Sequence, residues 1–195
     1  MAPRRVELVS CSKRCIDPGP TTRLQLALLD PQVVREVGVV AFFERGNGAF
    51  TLVARVYSNK ELVRRYYERV VDEHRLEELP LFIHPTYVDH NSDGNERGPA
   101  LVSAHLEGLR RTLPDFHLRV EQMVAEGDLV ATRVTASGTH TGVWQEIAPT
   151  GSEIRLNGIN IDRVEAGLIA EHWGQADTVG MLYQMGVDPF AGRPR

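Results

Sequence analysis

Hydrophobic and polar positions recur along this chain with two periods, and the change from one to the other divides helices from strands. After Ser58, the segment NKELVRRYYERVVDEHR carries apolar residues at Leu62, Tyr66 and Val70 and, one position on, at Val63, Tyr67 and Val71. That stripe has helical spacing. Ser58 reads as its N-cap, with Glu61 as the capping-box partner. A short turn, RLEELPLFI, leads into HPTYVDHN, where Pro85 and the polar cluster at 91–98 mark a loop. GPALVSAHLEGLRRT predicts a second helix over about 98–112, stopped by Pro114. Beyond it the period falls to two. FHLRVEQMVAEGDLVATRVTASGTHTG turns at Glu126, Gly127 and Asp128, and SEIRLNGINIDRVEAGLIAEHWGQAD turns at Glu165, Ala166 and Gly167. Each pattern predicts a β-hairpin. TVGMLYQMGV closes the chain as a short helix that stops at Gly186. The order α-α-β-β-β-β-α is that of an α+β domain with a curved antiparallel sheet and N-terminal helices.

The two strand faces differ in kind. Val130, Thr132 and Val134 share one face of LVATRVTA. In GINIDRV, Ile159, Ile161 and Arg163 share one face, and Gly158, Asn160 and Asp162 the other. Small and polar residues on one side and isoleucines on the other suit a sheet that encloses a polar pocket. Its apolar outer face then needs cover, which a second subunit supplies. The simpler arrangement, with the isoleucines in the core and the polar face in solvent, fits the same pattern.

Composition changes near residue 56. All seven His, both Trp and all five Tyr fall after residue 55, whereas both Cys, Cys11 and Cys15, fall before it. The first 55 residues are net basic and contain DPGPTT and an apolar stretch broken by Pro31. They read as an N-terminal extension, disordered or arising from a mis-called start, or as a regulatory segment. Residues 56–190 form the domain proper. The whole chain has a formal net charge of −4 over 195 residues, with 42% hydrophobic and 25% charged residues. That balance argues against a nucleic-acid binder and against a polybasic membrane-surface protein. With no secretory signal and no membrane-length apolar run, the expected location is cytoplasmic. Two cysteines spaced CxxxC make neither a disulfide framework nor a zinc site.

Three ordered segments carry a family resemblance. GTHTGVWQEIAPTGSEIRLNGINIDRVEAGLIAEHW, FIHPTYVDHN and ADTVGMLYQMGV resemble the SnoaL-like polyketide (ester) cyclases of the NTF2-like superfamily, over residues 58–187. The resemblance implies a cone-shaped α+β barrel, a homodimer packed through the sheet face and a deep apolar pocket for a small hydrophobic substrate. It implies neither metal nor organic cofactor. The family activity it implies closes the last ring of an aromatic polyketide ester by intramolecular aldol condensation. That chemistry needs a base for a proton alpha to a carbonyl and donors for the resulting oxyanion. Matched without gaps, the cyclases' catalytic aspartate falls at Gly174, which cannot move a proton. A pocket histidine falls at Asn160, a pocket glutamine at Gly158 and a pocket asparagine at Asp89.

Candidate chemistry therefore has to come from elsewhere. Asp89, walled by Tyr87, has the surroundings that raise a carboxyl pKa toward a base's range, although Asp89, His90 and Asn91 also suit an Asx-turn. His172 lies two residues before Gly174, on the same strand face, and an imidazole there can replace the lost carboxylate. These two are the catalytic candidates. Tyr87, His90, His140, Trp144, Asn160, Trp173 and Asp177 are the substrate-binding candidates. His140 stands at a strand end in GTHTG, and Trp144 and Trp173 offer stacking faces for a planar substrate or simply fill the core. Asp177 is first of all an N-cap. His84, His90, His140 and His172 have no metal-ligand spacing, no GxSxG nucleophile motif occurs and no glycine-rich phosphate loop is present. An enzyme acting by acid/base chemistry competes with a non-catalytic ligand-binding or hydroxylation-accessory protein, which Gly174 favours.

Overall fold

A computed structural model describes residues 5–6, 37–46, 49–92 and 97–191, with side chains from 57–92 and 97–191. Most of residues 1–55, including Cys11, Cys15 and the DPGPTT segment, lies outside the described residues. Strands β1 (Arg5–Val6), β2 (Val37–Gly46) and β3 (Ala49–Ser58) form a small antiparallel sheet with β3 in the middle.

From β3 the chain passes directly into helix α1 (Asn59–Arg65). Ser58 caps it: its Oγ accepts the Glu61 N–H at 3.2 Å, satisfying one of the first-turn donors. At Tyr66 the helix widens into a π-helical stretch (Tyr66–Asp72) that buries two adjacent pairs, Tyr66–Tyr67 and Val70–Val71. The offset apolar pairs in the sequence become intelligible here, because both members of each pair reach the interior. A 3-10 turn (Leu76–Leu81) leads to strand β4 (Ile83–Asp89), followed by helix α2 (Pro99–Thr112). Then come β5 (His117–Glu126), β6 (Leu129–Thr139), β7 (Glu153–Glu165), β8 (Leu168–Ala176) and helix α3 (Thr178–Gln184).

The main sheet has the order β4-β8-β7-β6-β5. The expected α+β fold forms, with a curved sheet under N-terminal helices, but two details differ from the sequence reading. Among the described residues the sheet ends at β4 and β5, so it is open rather than closed as a barrel. HPTYVDHN is also not all loop: β4 adds a strand parallel to β8, with Ile83 opposite Ile169 and Asp89 opposite His172. Its partner is some eighty residues away, so no local alternation announces the pairing. Pro85 is tolerated because it lies on an edge strand, inside the register shift between Ile83 and Val88.

The core lies between the helices and one face of this sheet. Leu62, Val63 and Val70 meet Ile83, Val130 and Ile169 there, all at most 1% exposed. Each such side chain contributes about 1.5–3 kcal/mol through burial. The long β6–β7 connection folds back on the end of α2. The Thr141 and Gly142 N–H groups both donate to the Thr112 carbonyl, and a Cβ at Gly142 would fall 1.8 Å from the Arg111 carbonyl oxygen. Only glycine fits. Among the described residues no helix is long and apolar enough to cross a membrane.

Candidate functional site

Strand register assembles the site on the helix-covered face. One row across the sheet holds Val130, Asp162, His172 and Asp89, on β6, β7, β8 and β4. The next holds Thr132, Asn160 and Gly174. Alternation puts these rows inside, and puts Ile159, Ile161 and Trp173, at 56%, 39% and 36% exposed, on the opposite face.

Asp162 is the anchor. Its carboxylate is 1% exposed and takes two hydrogen bonds. The Tyr67 hydroxyl donates to Oδ2 at 2.9 Å, and His172 Nδ1 donates to Oδ1 at 2.8 Å. A carboxylate accepts only, so the His172 proton shared with it sits on Nδ1, and Nε2 is left with its lone pair or a second proton. Nε2 points to Gly174: a Cβ built there would lie 2.9 Å from it and 2.8 Å from Asn160 Oδ1. The imidazole and the amide of Asn160 thus occupy the space that a side chain at position 174 would need. Asn91 secures the same glycine from the other side. Its Oδ1 accepts the Gly174 N–H at 2.9 Å, and its amide donates to the Gly174 carbonyl. Asp89 Oδ1 in turn accepts the Asn91 N–H at 2.9 Å, which is the Asx-turn read from the sequence.

Electrostatics set the imidazoles apart. For His172, enclosure in the protein is the largest single influence and disfavours the cation. The hydrogen bond and charge of Asp162, helped by Asp89, outweigh it and raise the pKa above the ordinary 6.5. His105, on α2, goes the other way. Enclosure lowers its pKa, Asp89 opposes the change, and the nearby His172 reinforces it. Burial, followed by the Asp162 and Asp89 charges, pushes the Tyr66 phenol far above its ordinary range. Tyr87 is raised by burial, then by Tyr66, Asp89 and Asp162. Both stay neutral at any physiological pH.

Of the residues singled out from the sequence, Asp89, His172, Tyr87 and Asn160 come together here. His90 and Trp173 do not join them. Their rings stack at 4.4 Å, nearly parallel, next to exposed Ile161, and His90 Nε2 meets Glu171 at 2.7 Å. His140 is fully buried at the end of β6, with Nδ1 taken by Thr150, whose N–H donates to it at 3.3 Å. Trp144 is half-buried in the β6–β7 connection, bridged to Ile147. Asp177 caps α3, accepting the Gly180 N–H at 2.8 Å. The residues that sequence reasoning left without a role are Asp162, Asn91, His105, Tyr66 and Tyr67. For Asp162 the signal was present, as a carboxylate alternating with Asn160 on the polar side of an isoleucine strand. Among the described residues, no three His, Cys, Asp or Glu side chains converge as metal ligands.

A family model described as SnoaL-like polyketide cyclase matches residues 61–185, which spans both rows of the site. The chain belongs to the SnoaL-like polyketide cyclase family. Among solved structures of this family's fold, TsrD from Streptomyces laurentii is 29% identical, with a TM-score of 0.60, covering 64% of this chain and 95% of its own. IdmH from Streptomyces antibioticus, a candidate polyketide cyclase, is 32% identical at a TM-score of 0.59, covering 66% of this chain and 99% of its own. AclR from Streptomyces galilaeus, a candidate hydroxylase, is 27% identical at 0.59, covering 67% and 86%. No curated protein matches the sequence.

Proposed function

We propose that this SnoaL-like protein is a cofactor-free acid/base enzyme that closes a ring in a hydrophobic aromatic polyketide ester, or in a related ester, by intramolecular aldol condensation. The observation that carries this reading is the placement of His172. Nδ1 is locked to a buried carboxylate, and Nε2 faces the space beside Gly174. A base must be held and oriented, and this imidazole is both, with its pKa raised above the ordinary value by Asp162 against the effect of enclosure. His172 takes the proton alpha to the substrate carbonyl. Asp162 and Asp89 stabilise the imidazolium that results. Asn160, beside it, positions substrate oxygen. Residues 56–190 are the functional unit of this reading, which assumes a cytoplasmic protein.

The outer face is proposed as the homodimer surface. Val124, Ala131, Ile161 and Trp173 stand opposite one another across β5, β6, β7 and β8, forming an apolar row in which Val124, Ile161 and Trp173 are exposed and Ala131 half-buried. A row of that kind on a sheet face is covered most simply by its own copy.

A second reading is a non-catalytic or hydroxylation-accessory role. Gly174 favours it, as does the similarity to AclR. The test is turnover by the full chain of anthraquinone-type polyketide methyl esters, without added metal or cofactor, followed by chromatography and mass. A product of unchanged mass and different retention, absent with His172→Ala, supports the enzyme. Binding without conversion favours the second reading.

A further inference from the structure

The site holds two phenols that the mechanism above leaves unused. Tyr66, on the π-helical stretch, and Tyr87, on β4, are 7% and 4% exposed. Neither hydroxyl makes a hydrogen bond among the described residues. Both hydroxyls thus end packed, nearly buried rings without a hydrogen-bond partner among the described residues. Their neighbour Tyr67 differs, because its hydroxyl is committed to Asp162. The Tyr66 ring packs edge-on against Tyr67, centroids 5.1 Å apart, and Tyr67 bonds Asp162, while Tyr87 stands two residues before Asp89, which lies opposite His172, so both phenols stand beside the His172 row. A nearly buried ring that ends in an unpaired donor leaves that donor for a ligand to complete.

We propose that Tyr66 and Tyr87 form the oxyanion-binding pair of this site, donating their phenolic hydrogens to the enolate oxygen of a β-keto ester or similar enolisable carbonyl. This rests on the acid/base reading of His172. In the step, His172 Nε2 takes the α-proton and the C–H electron pair becomes the C=C of the enolate. The carbonyl π pair moves onto oxygen, where the two phenols meet it. The enolate carbon then attacks the second carbonyl, and its oxygen recovers the proton from His172, so the product is an isomer of the substrate. Raised pKa values suit the role, since a donor that stays protonated stabilises the anion without surrendering its hydrogen. Donors fixed by ring packing also need no reorganisation as charge develops.

The test uses the full chain and 2-naphtholate as a planar enolate mimic, with naphthalene as the oxygen-free control, titrated by fluorescence. Tyr66→Phe and Tyr87→Phe should each weaken naphtholate binding by about tenfold, as expected for one lost hydrogen bond to an anion, and leave naphthalene binding unchanged. Both variants should melt with the wild type, because neither hydroxyl has an internal partner, whereas Tyr67→Phe should melt lower. Naphtholate binding that is absent in the wild type, unaltered by both Phe substitutions, or lost in parallel with naphthalene overturns the proposal. His172→Ala separates the two readings. Turnover that survives this substitution sinks the acid/base reading. Turnover that disappears while naphtholate still binds through the tyrosines supports both.

Discussion

Replacing Asp162 with asparagine removes one charge from the middle of the site and almost no volume. The buried carboxylate of Asp162 is shared between the Tyr67 hydroxyl and His172 Nδ1. The amide can still accept from Nδ1, so the geometry survives and the charge does not. In the wild type, enclosure alone would lower the His172 pKa, and it is Asp162, with Asp89, that reverses the sign. In the Asp162→Asn variant enclosure wins, and the His172 pKa should cross from above 6.5 to below it. Stability follows by linkage. A histidine raised on folding contributes fully below its unfolded pKa, and loses that contribution as pH rises through the folded value. Asp162→Asn should therefore cost about 3 kcal/mol in acid, where a buried ion pair is broken. In alkali the cost should be only about 1–2 kcal/mol, where a hydrogen bond to a charged acceptor becomes an ordinary one. Imidazole proton shifts across a pH titration report the pKa, and urea unfolding at about pH 5.5 and about pH 8.5 reports the two costs. A His172 pKa that stays above the ordinary value in Asp162→Asn, or an unfolding cost equal at both pH values, would refute the reasoning.

The same electrostatics shape the pH–rate profile. A base works when unprotonated, so kcat/KM should climb with pH through the raised His172 pKa, and Asp89→Asn should move that limb to lower pH by removing a supporting charge. Restoring a carboxylate with Gly174→Asp should not restore cyclase efficiency. Its Cβ would stand 2.8 Å from Asn160 Oδ1 and 2.9 Å from His172 Nε2, so both side chains must shift. We expect a folded protein, destabilised by about 1–3 kcal/mol, with at least a tenfold lower kcat, read from thermal melts and the ester assay. Gly142→Ala meets backbone instead, at 1.8 Å from the Arg111 carbonyl oxygen, and should cost more than about 3 kcal/mol or prevent folding, as circular dichroism will show. If the outer face joins two copies, Ile161→Lys should halve the mass seen by light scattering without moving the His172 pKa; an unchanged mass would remove that face as the interface.

Local pattern settled most elements of this protein. Caps at Ser58 and Asp177, the turns after Glu126 and Glu165, and the stop at Gly186 lie where the residues indicate, because each depends on hydrogen bonds or φ angles within a few positions. Strand alternation likewise fixed which side of β7 carries Asn160 and Asp162, since a strand with period two leaves no other choice. Tertiary structure decided the rest. The parallel union of β4 with β8 joins segments with no shared local signal, and it alone sets Asp89 opposite His172. The widening of the helix at Tyr66 decides that two neighbouring tyrosines both face inward, one bonded to Asp162 and the other without a hydrogen-bond partner among the described residues. His90 and Trp173 read as pocket residues in one dimension, yet they stack together on the opposite face of the sheet, because one step along a strand reverses the side. Residue type along the chain supplied candidates for acid/base chemistry. Only long-range pairing determined which of them share a space, since proximity across a sheet comes from register between distant strands and not from spacing along the chain.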